Sequence, residues 1–333
     1  MTHDNTLAPP WIGGRLASPD AGVRRIAVME LADEADDRFL PLFIAALQDA
    51  AAEVRAAAAQ ALQATDDRTA IQALVAALDD ADADVHASAA QSLAELKSPH
   101  AAQWLLPHAA RGTARARAAV LQALRELREP ASAEPALAAL DEADETLRLQ
   151  AIGVLGYLRH QPALARLQQL ARADPASSVR RAAVAALALA VGDNGTRQVA
   201  ETIALGDADW QVREEAAATL GKLRQAPAEQ SLRQALADSH WQVRLQAARA
   251  LGRLRSRGTI DALADALRHT VSNLRKEAAL ALGEIGDAQA LPALAQASRD
   301  PDPEVRKAVR LAVQQIDQQR GAPSTDTDGA HGS

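Results

Sequence analysis

Eight histidines could in principle bind a metal or move protons: His3, His86, His100, His108, His160, His240, His269 and His331. A metal site needs three or four imidazole, thiolate or carboxylate ligands gathered at one point. Cysteine is absent, which removes thiolate ligands, thiolate catalysis and disulfides together. The histidines share no common spacing; only His86, His100 and His108 fall close together, near Trp104. They read as scattered surface or packing residues, and no metal is expected. Acyl-transfer chemistry has no setting either, because neither G-x-S-x-G nor a Ser-His-Asp context occurs. The glycine loops that cradle nucleotides are missing as well. The expectation is a chain without catalytic residues and without a cofactor, more a binder than an enzyme.

Two groups of residues suit binding. The basic run "WQVRLQAARALGRLRSRG" holds Arg244, Arg249, Arg253, Arg255 and Arg257, which could meet phosphate. Glu214, Glu215 and Glu277 dilute that field, and the net charge is −7 with a pI near 5.7. Both facts argue against nucleic acid and for a solvated face of mixed charge. The second group is a pair of tryptophans in a copied phrase, "DADWQVREEAAATLGKL" and "DSHWQVRLQAARALGRL". Trp210 and Trp241 are two of only four tryptophans. They either fill one structural niche twice or face one partner twice.

The copied phrase belongs to a period that runs along the chain. Its anchor is the apolar residue before the Arg of each "VR": Val23, Val54, Val85, Ala116, Leu147, Val179, Val212, Val243, Leu274 and Val305. Successive anchors are 31 to 33 residues apart, so about ten units fill residues 11–317. Arg follows nine of the ten anchors, and His86 is the exception. Apolar residues at the anchor and at +4, +5, +8 and +11 make one helical face. Small alanines at +4, +5 and +7 permit close helix approach. A first amphipathic helix precedes each of these, as in "TAIQALVAALDD". The link between the two carries Asp20, Asp82, Asp144, Asp209 or Asp302 three residues before the anchor, where a side chain can cap a helix. Pro303 then falls at the first helical position, which needs no N–H.

Composition agrees with this reading. The chain is 48% hydrophobic but only 2% aromatic, which suits alanine- and leucine-rich helices packed at short range. "MTHDNTLAPPW" lacks the regions of a signal peptide, and no apolar run reaches membrane length, so a soluble cytoplasmic protein is expected. Residues 1–10 read as a flexible lead, 11–317 as one repeat domain and 318–333 as a disordered tail. "WIGGRLASPD" reads as a degenerate first helix that caps the array. Pro107 is expected to kink or end the first helix of unit four. The longer steps into units six and seven imply loop insertions at "RADPASSVR" and "AVGDNGTRQVAETIALGD".

The pattern D-x-D-x-x-V-R-x-x-A-A-x-A-L-G-x-L, clearest in "DPDPEVRKAV", "VREEAAATLGKL" and "LRKEAALALGEIGD", resembles HEAT-like repeats of the phycobilin-lyase type over nearly the whole chain. The resemblance implies an all-α, right-handed α-solenoid of about ten two-helix repeats with the second helices lining a concave face. It also implies a structural ladder that pairs an Arg after the anchor with an Asp near the inter-helix turn. The candidate ladder residues are Arg55, Arg148, Arg180, Arg213, Arg244, Arg275 and Arg306 with Asp49, Asp80, Asp174, Asp207, Asp238 and Asp300. The groove positions it implies are −2, −1, +2, +3, +6 and +10. On these stand the candidate partner-binding residues Trp210, Trp241, Gln211, Gln242, Glu214, Gln246, Arg249, Arg253, Lys276 and Tyr157. One enzyme of this repeat class, deoxyhypusine hydroxylase, binds two irons through His-Glu dipeptides. Here Lys276 and Glu214 occupy the places where His is required, and no His-Glu dipeptide exists, so that activity is rejected. What remains is a non-catalytic scaffold for a protein partner, with no role for a membrane, nucleic acid or small-molecule ligand. The alternative is a lyase-like or maturation factor that assists cofactor attachment to a client, in which Arg249 and Arg253 could meet propionates.

Overall fold

A computed structural model gives the architecture. It describes residues 12–63, 65–188, 198–200, 204–224 and 226–321. The loop insertion read into "AVGDNGTRQVAETIALGD" falls mostly outside them, as do residues 1–11 and 322–333. Every regular element among the described residues is helical.

Each anchor lies near the start of a second helix. In unit order these are Ala21–Asp33, Ala52–Ala61, Ala83–Ala94, Ala114–Glu126, Glu145–Tyr157, Ser177–Leu187, Trp210–Leu223, Trp241–Leu254, Ser272–Ile285 and Pro303–Gly321. The last of them carries regular structure four residues beyond 317, the point where the repeat array was expected to stop. Asp20, Asp82, Asp144 and Asp209 cap their helices by accepting N–H groups of the first turn, and Asp302 accepts from Glu304 at 2.8 Å. Most first helices open with a single 3₁₀ turn and continue for seven to ten residues, as in Asp37–Phe39 followed by Leu40–Ala46. The leading one is a single turn, Gly13–Leu16. Pro107 neither ends nor interrupts its helix, Ala102–Ala109. It sits near the C-terminal end, so its ring removes one backbone bond of a helix that stops two residues later.

The chain separates into two units of internal contact, 1–163 and 164–333, each holding five repeats. Within each, the anchors and the leucines at +8 are the core. Val54, Val85, Leu147, Val179, Val212, Val243, Leu274 and Val305 are buried, and so are Leu62, Leu93, Leu124, Leu155, Leu187, Leu220, Leu251 and Leu282. Each such side chain contributes roughly 2 kcal/mol by leaving water. Val23, in the capping repeat, is only half-buried.

The "ALG" of the repeat has a packing reason. Gly221, Gly252 and Gly283, at +9, lie against Ala250, Ala281 and Ala312, at +7 of the next repeat. A Cβ on Gly252 would stand 2.8 Å from the Ala281 Cα, so only glycine admits this approach. Second helices therefore stack closely on one another, whereas successive first helices touch far less. The closer row is the inner face of each unit.

Candidate partner-binding face

The inner-face positions line real grooves. In the 1–163 unit one groove of about 670 Å³ is bordered by Arg25, Met29, Glu53, Ala56, Gln60, Asp84 and Gln91 together with neighbours from the first three repeats. A second, of about 440 Å³, runs beside His86, Arg115, Gln122 and Gln150. Tyr157, also in this unit, is exposed, with the Arg128 guanidinium 5.7 Å above its ring.

The other nine candidate residues lie in the 164–333 unit. Trp210 is half-buried at the edge of the core and stacks on His240, with ring centroids 5.5 Å apart and planes 6° from parallel. That ring bridges its own repeat to the turn of the next, so Trp210 does packing work. Trp241 is half-buried at the equivalent position, and Gln211 and Gln242 follow the two tryptophans. Glu214 accepts from Gln246 at 3.5 Å, and Arg249 makes a two-pronged pair with Glu277 at 2.9 Å on each prong. Lys276 follows the ladder residue Arg275 and is half-buried. Arg253 borders a groove with Arg224 and Arg255.

Sequence reasoning missed a different set of side chains. Ile26, Met29, Tyr157 and Leu311 are the exposed large hydrophobics among the described residues, at 44–48% exposure, and only Tyr157 was a candidate. All four occupy inner-face positions: +3, +6, +10 and +6. The signal was present in the period, but Ile26, Met29 and Leu311 pass for core residues until the buried face is known.

The ladder has a two-repeat geometry. Arg55 donates from Nε and Nη2 to Asp80 of the next repeat at 2.7 and 2.9 Å, and from Nη1 to the Asp49 carbonyl of its own turn at 2.9 Å. Arg24–Asp49, Arg180–Asp207, Arg213–Asp238 and Arg275–Asp300 repeat this fork. Each of these aspartates also accepts the N–H two residues on, as Asp80 does from Asp82 at 2.9 Å and Asp174 does from Ala176. Arg148 holds the Glu142 and Ala143 carbonyls at 2.9 and 2.8 Å, and Arg306 likewise holds those of Asp300 and Pro301. Glu142, at the ladder position of the fifth repeat, takes Arg117 at 2.7 Å and was overlooked because only Asp was sought. Arg244 faces no ladder carboxylate: His269 fills that place, and Arg244 turns to the Asp238 carbonyl. His269 still accepts the Val271 N–H at 3.1 Å, and burial with Arg244 and Arg275 nearby pushes its pKa down.

The arginine hydrogen bonds hold the Asp49, Asp80, Asp207 and Asp300 carboxyls below the usual carboxylate range, against the opposing effect of burial. A carboxyl with a depressed folded pKa stabilises the fold fully above its unfolded value, about 4, and loses that contribution as pH falls through the folded value. The thermal midpoint should thus hold nearly flat down to about pH 4 and then drop. A midpoint that stayed constant to pH 2, followed by circular dichroism, would remove the ladder's role in stability.

Helix pairs stacked with their second helices inside define an all-α solenoid. The family model described as HEAT repeats matches residues 9–94, 40–125, 102–188, 133–221, 198–280 and 260–324, and the chain belongs to that family. The match is to HEAT repeats at large and does not single out the phycobilin-lyase type. No curated protein matches the chain. Among solved structures it is similar to an engineered protein, at 22% identity over 91% of this chain and 97% of that one, with a TM-score of 0.54. It is also similar to YibA of Escherichia coli, at 18% identity over 89% and 97%, TM-score 0.55. With importin beta it shares 15% identity over 93% of this chain and 55% of that one, TM-score 0.54. At such identities the likeness is one of fold. No described helix is long and apolar enough to cross a membrane, and no described group of His, Asp and Glu is placed to hold a metal.

Proposed function

We propose that the protein is a non-catalytic HEAT-repeat scaffold that binds a partner protein along the inner face of its second helices. One observation carries this reading: the exposed large apolar side chains among the described residues, Ile26, Met29, Tyr157 and Leu311, all stand on inner-face positions. Scattered exposed leucines mean little, but apolar groups confined in each unit to the polar-rimmed inner-face positions are what an interface uses. Trp241 adds a half-buried aromatic to the same face, whereas Trp210 is engaged with His240.

The test is affinity capture from the host's extract with three proteins: wild type, Met29→Ser/Leu311→Ser and Trp241→Ala, each checked for native helicity. The exposed pair should lose the wild-type partner while keeping its fold, and Trp241→Ala should weaken capture. A partner held equally by all three would place binding elsewhere. A red-shifted absorbance band on adding a linear tetrapyrrole would instead favour the chromophore-handling alternative.

A further inference from the structure

Many arginines outside the ladder stand singly on the surface, but three of them gather at one groove. Arg224, Arg253 and Arg255 are exposed, and among the described residues their side chains make no hydrogen bond or close ion pair; Glu284 is the carboxylate near enough to feel Arg224 and Arg253. They border one groove of about 470 Å³ in the 164–333 unit, at the C-terminal ends of the seventh and eighth second helices. Its floor is made by Gly252 and Gly283, and its far wall by Gln315, Gln318 and Gln319 of the last helix. Glu284 is the one carboxylate on the lining.

Two of the three arginines hold a backbone conformation that disfavours them. Arg224 and Arg255 have φ of 49° and 53°, the left-handed turn that ends a helix. The ninth repeat fills the same position with Gly286, φ 74°. A non-glycine residue is strained there. Attraction of a cation to the helix C-terminus offsets part of that cost. Arg128 and Arg159 hold the same turn in the fourth and fifth repeats, at φ 59° and 51°, so the turn belongs to the repeat; what is particular here is that two such arginines border one groove beside a third.

We infer that this groove binds an acidic, extended peptide segment of the partner, whose carboxylates meet Arg224, Arg253 and Arg255. The inference rests on the scaffold reading above and names the chemistry of its partner. Guanidinium forks suit carboxylates in two-point geometry. The glutamine row supplies donors and acceptors for a peptide backbone, which alternates the same groups. A continuous polyphosphate fits less well, because it carries a charge at every unit, whereas a peptide with spaced carboxylates can set a neutral residue against Glu284.

The probe is a fluorescein-labelled ten-residue peptide of alternating Glu and Gly, set against its Gln-Gly counterpart and a single-stranded oligonucleotide of ten thymidines, all titrated into the full chain at 50 mM salt. The variant is Arg224→Gly/Arg253→Gln/Arg255→Gly. Glycine is the favoured residue at two of its three sites, so its thermal midpoint should equal or exceed that of wild type. The Glu peptide should bind, the Gln peptide should not, and the variant should lose at least tenfold in affinity. Equal affinity for both peptides, an unchanged variant, or tighter binding of the oligonucleotide would overturn the assignment. So would a doubling of mass by light scattering that disappears in the variant, since a second copy would then be the occupant. Met29→Ser/Leu311→Ser leaves these arginines in place, so the scaffold reading and this inference can fail separately.

Discussion

Gly252→Val is expected to destabilise the protein by about 3 kcal/mol, at the overpacked end of core substitutions. Two effects of opposite sign meet at this glycine. Side chains other than proline's gain over glycine in a helix interior, by about 1 kcal/mol for alanine. Against that, the new Cβ would stand 2.8 Å from the Ala281 Cα and 3.0 Å from its Cβ. Those atoms belong to the backbone and to the shortest of side chains, so nothing can swing aside; the two helices must part. Alanine should therefore cost only about 1 kcal/mol net, and valine far more. Gly14 is the control: nothing lies within 4 Å of its missing Cβ, and Gly14→Ala should be neutral or stabilising. Denaturant titration measures the difference. Hydrogen exchange should show the loss concentrated in the eighth and ninth repeats, because a solenoid's stability is a sum over neighbours. A silent Gly252→Val would mean the second helices are not in the close register described.

Asp300→Ala should cost about 3 kcal/mol, the scale for removing one member of a buried pair. Asp300 is 6% exposed in its side chain and Arg275 11%. The carboxylate accepts Arg275 at 2.7 and 2.8 Å and the Asp302 N–H at 2.8 Å. Alanine leaves the guanidinium with only the His269 and Thr270 carbonyls and strips the turn of its acceptor. Asp265→Ala tests the same chemistry on the surface, where Arg268 and Asp265 are 67% and 73% exposed, and should move stability by less than about 0.5 kcal/mol. The double variant Arg275→Met/Asp300→Leu should recover much of the loss, because it removes the unpaired charge rather than the attraction. If Asp300→Ala and Asp265→Ala proved equal in chemical denaturation, burial would not be what gives the ladder its strength.

The fold was legible because one constraint recurs. The anchor and its apolar partners recur at one spacing in all ten units, and a capping Asp joins them in five, so the period declares itself in the sequence. The ladder was legible as a set of residues but not as a wiring diagram. Nothing local says that Arg55 reaches Asp80, 25 residues ahead, while gripping only the carbonyl of Asp49 behind it. The binding face was the least legible. Met29 and Leu311 look like core by type, and only the packing shows that their positions point away from it. Trp210 looks like an anchor by type, and only the partner ring of His240 reveals its occupation. Arg224 gave no sign at all, and Arg255 showed only as one of a basic run, since a left-handed turn is invisible in a residue that rarely adopts one.

The ladder lacks a rung between the third and fourth repeats. Where Arg and Asp would stand, the chain has His86, spent on the Leu78 carbonyl at 2.7 Å, and Arg111, exposed. Thr113 reaches across to Asp79 at 2.6 Å instead, a single exposed hydroxyl bond in place of a buried fork. Under tension, an array of springs in series yields first at its weakest coupling. Stretched in an optical trap, this protein should give way at that joint before the forked junctions on the same side of residue 163. A partner that straddles it would then act as a splint, stiffening the 1–163 unit where its own wiring is thinnest.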